Sequence, residues 1–129
     1  MQLQNGTLLQ GGKYKIETVL GQGGFGITYL ATQTLTDKKV AIKEFFFKEY
    51  CERDNVSGTV TVPTTSKKKF VEKFQKKFLK EAKRISDLNH KNIIRVLDVF
   101  QENDTSYYSM EYIIGKSLAQ EINAKGKID

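Results

Sequence analysis

Six residues, Gly21-Gln22-Gly23-Gly24-Phe25-Gly26, hold four glycines between two stretches of strand-like sequence. Before them Tyr14, Ile16, Thr18 and Leu20 alternate with Lys15, Glu17 and Val19, and after them Ile27 to Ala31 continues in strand-forming residues. Glycine lets backbone N–H groups approach an anion with no side chain in the way. A dinucleotide-binding turn needs such glycines to open a helix, whose N-terminus then faces the pyrophosphate. Here they open a strand. The cluster also does not run into the Gly-Lys-Ser or Gly-Lys-Thr of a Walker-type loop. What remains is a glycine-rich hairpin that can fold over phosphates, followed by an antiparallel sheet.

The rest of the chain extends that sheet and adds one helix. Thr36-Asp37-Lys38-Lys39 reads as a turn, and Val40-Ala41-Ile42-Lys43 as a third strand. Residues 48–66 are irregular, with turn signals at Asp54-Asn55 and Ser57-Gly58 and a short strand at Thr59–Val62 ended by Pro63, and they read as an insertion. From Lys67 to Leu88 the period becomes 3.6, with Phe70, Phe74, Phe78, Ile85 and Leu88 on one side. Asn92–Phe100 and Ser106–Tyr112 form a closing hairpin around Glu102-Asn103-Asp104-Thr105. Ile113–Lys116 is a linker, and Ser117-Leu118-Ala119-Gln120 has the spacing of a capping box.

Composition bounds the function classes. With 129 residues, 39% hydrophobic, the chain has the size of one domain with one core. No apolar run approaches a membrane span and Met1–Gln10 lacks the features of a signal peptide, so a soluble cytoplasmic protein is expected. One cysteine, Cys51, and one histidine, His90, exclude an internal disulfide and a zinc ligand set. The net charge of +6 raises nucleic-acid binding, but between Lys67 and Arg84 nine basic residues stand against Glu72 and Glu81. The remainder is close to neutral, so the charge reads as the solvated face of one helix, with a nucleic-acid surface as the alternative.

Two residues point to phosphate chemistry. Ala41 and Lys43 share one face of their strand, so a small side chain leaves room for a flat base beside an ammonium placed for phosphates. A strand-end lysine that merely reaches solvent is the other reading. At about 100° per residue from Phe70, Glu81 falls at roughly 20°, within the apolar stripe and away from nearly all the lysines. A carboxylate there needs a cation from elsewhere, and Lys43 is the one the sheet offers, unless Glu81 snorkels to the helix edge.

The order Gly21-x-Gly23-x-Phe25-Gly26, Val40-Ala41-Ile42-Lys43, helical Glu81 and Met110-Glu111-Tyr112 resembles the small lobe of protein kinases, over roughly Tyr14 to Ile122. Leu20-Gly21-Gln22-Gly23-Gly24-Phe25-Gly26-Ile27-Thr28-Tyr29 looks most like the eukaryotic-type Ser/Thr kinases of bacteria. The resemblance implies an α+β small lobe with a five-stranded antiparallel sheet and one long packed helix. It divides the chain into an N-terminal extension 1–13, the lobe 14–116 with its insertion 48–66, and a hinge exit 117–129 that begins a truncated large lobe.

It further implies ATP held by Gly21, Gly23, Gly24, Phe25 and Gly26 over the phosphates and by Leu20, Thr28 and Ala41 above adenine. Met110 would be the gatekeeper, and the Glu111 carbonyl and Ile113 N–H would bond the base edge. Ser117 would stand at the ribose, Lys43 and Glu81 would anchor phosphate, and Ile85 and Val96 would belong to the hydrophobic spine. Thr28 replaces the usual valine, and Lys91 follows His90 where proline is common. No His-Arg-Asp or Asp-Phe-Gly occurs in the 129 residues, so magnesium ligands are expected only from the large lobe and the chain alone is expected to be inactive. The parent would phosphorylate protein hydroxyls; a non-catalytic nucleotide-binding or interaction module is the alternative. An uncovered lobe interface around Ile85 and Val96 suggests a homodimer.

Overall fold

In the computed structural model, residues 1–87 and 95–112 are described. Leu8–Leu9 (β1), Tyr14–Gln22 (β2), Gly26–Gln33 (β3), Lys38–Phe45 (β4), Val96–Glu102 (β7) and Thr105–Glu111 (β8) form one sheet. Its order is β1-β2-β3-β4-β8-β7, antiparallel throughout. Glu52–Arg53 (β5) and Val60–Thr61 (β6) make a separate two-stranded ribbon, and one helix, Lys68–Asp87 (α1), completes the α+β fold.

The sheet therefore has six strands where the sequence suggested five. The added edge, β1, has only two residues, too few for an alternation to be legible. The closing hairpin turns at Asn103 and Asp104, both at positive φ (53° and 56°), the conformation of the tight turn that matches strand twist.

The helix begins one residue later than expected, after a 3-10 turn at Thr65–Lys67, and Leu88 lies outside the described residues. Its first turn carries no acidic residue and Thr64 supplies no side-chain cap, so neither the helix dipole nor a cap starts it. Packing holds it instead. Val71, Phe78 and Ala82 are buried while Phe70 is 41% exposed, so the buried face is turned toward the smaller residues. Val71 and Ala82 let the helix approach the sheet, and the larger Phe74 and Ile85 pack at the margins. Glu81 consequently stands at the edge of the buried face.

Successive residues of β4 serve opposite faces of the sheet. On one, Lys43 and Phe45 meet α1, with Phe45 beside Phe78 and Lys43 bonded to Glu81. On the other, Glu44 is completely buried. The N-terminal extension and the 48–66 insertion cover it. Arg53 of β5 is ion-paired with Glu44, and its guanidinium also donates to the Gly58 and Met1 carbonyls. Tyr29 donates to Glu44 Oε1 at 2.8 Å and accepts the Leu3 N–H at 3.0 Å, while Tyr107 donates to Glu44 Oε2. The ribbon is also tied to the β7–β8 turn by Val60 N–H to the Asn103 carbonyl.

Leu3, Leu9, Phe46, Cys51 and Val60 are buried within the same core. Burial raises the pKa of the Cys51 thiol, in keeping with a structural role. No described helix is long and apolar enough to cross a membrane.

Candidate nucleotide site

The glycine hairpin is the connection between β2 and β3. The Gly23 N–H bonds the Gly26 carbonyl at 2.9 Å and closes the turn. The chain after β4 fixes its tip: Phe46 N–H donates to the Phe25 carbonyl at 2.9 Å and Lys48 N–H to the Gly24 carbonyl at 3.0 Å. Gly26 is required by a close approach, since a Cβ there would stand 2.9 Å from the Glu44 carbonyl oxygen. Around Gly21, Gly23 and Gly24 the space is open. Phe25 leans on the helix, stacked on Phe74 at 5.1 Å and edge-on to Phe47 at 4.7 Å between ring centroids.

Beneath the hairpin lies a cleft of about 470 Å³. Gly21, Gly23, Gly24, Phe25, Gly26, Thr28, Lys43 and Glu81, all singled out in the sequence, line it. Lys43 Nζ donates to Glu81 Oε1 at 2.8 Å, joining strand and helix as the helical spacing suggested. The two side chains remain 26% and 37% exposed, so their charges stay within reach of a ligand. Burial pushes the Glu81 carboxyl upward, but hydrogen bonds from Lys43 and Tyr108 and the Lys43 charge outweigh it and hold its pKa below the ordinary value.

The residues that the kinase resemblance assigns to adenine lie in the adjoining rows of the sheet. Ala41 pairs with Met110 across β4 and β8, and both are fully buried, while Leu20 is half-buried against the core. These three flank the cleft without lining it. Glu111 is exposed at the end of β8, ion-paired with Arg95 at 3.5 Å. Ile113 and Ser117 lie outside the described residues, as does the capping box at Ser117. Ile85 and Val96 are half-buried and packed on the core.

Sequence reasoning passed over two contributors. Tyr108 stands opposite Lys43 in the β4–β8 register and donates to Glu81 Oε1 at 2.6 Å, so one carboxylate oxygen accepts from both. The alternation of β8, which puts Tyr108 on the face of Met110, was the available signal. Lys77 also lines the cleft, although it was counted with the solvated basic face. Its helical angle, roughly 340° from Phe70, is next to that of Glu81 and could have singled it out.

The comparisons with known proteins agree with this geometry. A family profile described as protein kinase domain matches residues 14–129. The serine/threonine-protein kinase PrkC of Bacillus subtilis is 34% identical over 91% of this chain and 15% of its own length. The serine/threonine-protein kinase PknD of Chlamydia caviae is 32% identical over 82% of the chain and 9% of its own. Among solved structures, the apo form of PpkA-294 superposes with a TM-score of 0.82 at 25% identity, over 99% of this chain and 45% of that one. The chain thus spans less than a fifth of the length of these curated relatives. The glycine hairpin over a lysine–glutamate pair and the match across residues 14–129 lead to one conclusion: this chain belongs to the protein kinase domain family.

Proposed function

We propose that this chain is the ATP-binding lobe of a bacterial-type protein serine/threonine kinase, which moves the γ-phosphate of ATP to a hydroxyl of a protein substrate. The observation that carries the reading is the Lys43–Glu81 contact beneath the glycine hairpin. A lysine ammonium has three donors, and Glu81 occupies one direction while leaving others for phosphate oxygens. Tyr108 holds the same Glu81 oxygen, which keeps the carboxylate, and through it Lys43, in one position. The N–H groups of Gly24 and Phe25 have no backbone acceptor among the described residues, and they are the hairpin donors offered to phosphate.

Leu20, Thr28, Ala41 and Met110 would receive adenine, with the Glu111 carbonyl and Ile113 N–H at its edge and Ser117 at the ribose. Catalysis needs more than these residues supply: an aspartate to take the acceptor proton and carboxylates to hold magnesium. The 129 residues on their own are accordingly expected to bind ATP without transferring phosphate. Dependence on ATP supports a cytoplasmic location.

Titration with ATP and with adenosine tests the reading. Binding of ATP is expected in the millimolar range, about 4 kcal/mol, because only half of the site encloses the base. Lys43→Met should weaken ATP more than adenosine. Equal losses for both would remove Lys43 from the phosphates and the reading with it.

A further inference from the structure

The cleft has a second cation. Lys77 lies on α1 one turn before Glu81 and lines the cleft with Lys43 and Gly21–Gly26, whereas Lys73, Lys76 and Lys80 of the same helix do not. Its ammonium stands 4.9 Å from the centroid of Phe74, the ring on which Phe25 of the hairpin stacks. An aromatic face attracts the cation but offers it no ordinary acceptor, so its donors stay available.

The charge balance of the wall gives this placement meaning. Lys43 and Glu81 neutralise each other, and Lys77 forms no ion pair among the described residues. The net positive charge of the cleft lining is therefore that of Lys77. A triphosphate carries more negative charge than a diphosphate and extends further from the base, so a second cation in the cleft lining favours it more.

We infer that Lys77 is a second phosphate-binding residue, contacting the terminal phosphate of a nucleoside triphosphate and favouring it over the diphosphate. The inference rests on the nucleotide reading above and assigns a further residue to that site. Lys77 is exposed, so its replacement leaves the core intact.

Chemical-shift titrations of the 129-residue chain with ATP, ADP and adenosine test it, on the unaltered protein, Lys77→Met and Lys77→Arg. Lys77→Met is expected to weaken ATP about five- to tenfold, ADP by less than about twofold, and adenosine not at all. Lys77→Arg should keep most of the ATP affinity. ATP binding unchanged in Lys77→Met overturns the inference while leaving the nucleotide reading standing. Equal weakening of ATP and ADP overturns the contact with the terminal phosphate. Failure of the unaltered chain to bind ATP overturns both.

Discussion

Lys43 and Glu44 are neighbours on β4, and each forms an ion pair with a residue of another element, yet the two pairs do different work. The Glu44–Arg53 pair is sealed on the outer face, 0% and 3% exposed, with every carboxylate oxygen engaged by Arg53, Tyr29 or Tyr107. Lys43–Glu81 on the inner face is 26% and 37% exposed and borders open space. Two charges taken wholly out of water can only be structural, because no ligand reaches them and loss of either strands the other. A partly exposed pair contributes little to stability and keeps its charge available. Structure and chemistry are thus divided between the two faces of a single strand.

Arg53→Met should break this contrast most severely. It leaves Glu44 buried beside two tyrosines with no cation, and a loss of about 3–5 kcal/mol is expected. Urea unfolding would measure it, and the double variant Glu44→Gln/Arg53→Met should recover a large part. A loss in Arg53→Met no greater than for an exposed lysine would mean that the outer pair is not what fastens the 48–66 segment.

Lys43→Met should do the opposite, changing stability by less than about 1 kcal/mol while removing the phosphate preference. A large stability loss would move Lys43 into the same structural class as Arg53.

The finest distinction is one of pH. The Glu81 carboxyl is held below its ordinary value of 4.5 in the folded chain, so its contribution is fully present above that value and is lost as the pH falls through the lowered one. The stability gap between the unaltered chain and Glu81→Gln should therefore be widest near neutrality and close on acidification. A gap that stays constant from pH 7 to about pH 3 would show that the hydrogen bonds do not depend on the carboxylate charge.

Much of the inner face was legible in the sequence because its signals are local. The glycine cluster between two alternating stretches defines the hairpin, and a carboxylate inside an apolar helical stripe has to find a cation. That ground favoured joining Lys43 to Glu81, with a Glu81 that snorkels to the helix edge as the alternative. The helix period also identified α1, but it put Phe70 on the packed side, where Val71 and Ala82 are buried instead. How closely the helix approaches the sheet decides that, and periodicity carries no information on distance.

What the sequence determined by itself was the order of the strands around the glycine hairpin, the helix, and the residue pair beneath the hairpin, since each follows from a repeat or from the cost of an unpaired buried charge. Only the tertiary structure decided what covers the other face. Leu3 bonds Tyr29, Arg53 bonds both Met1 and Glu44, and Val60 bonds Asn103, each contact linking segments that no shared repeat relates. Such contacts have no period to read. An arginine in an irregular, turn-rich stretch reads as solvated until the fold lays it on a buried glutamate, where excluding water makes the ion pair obligatory.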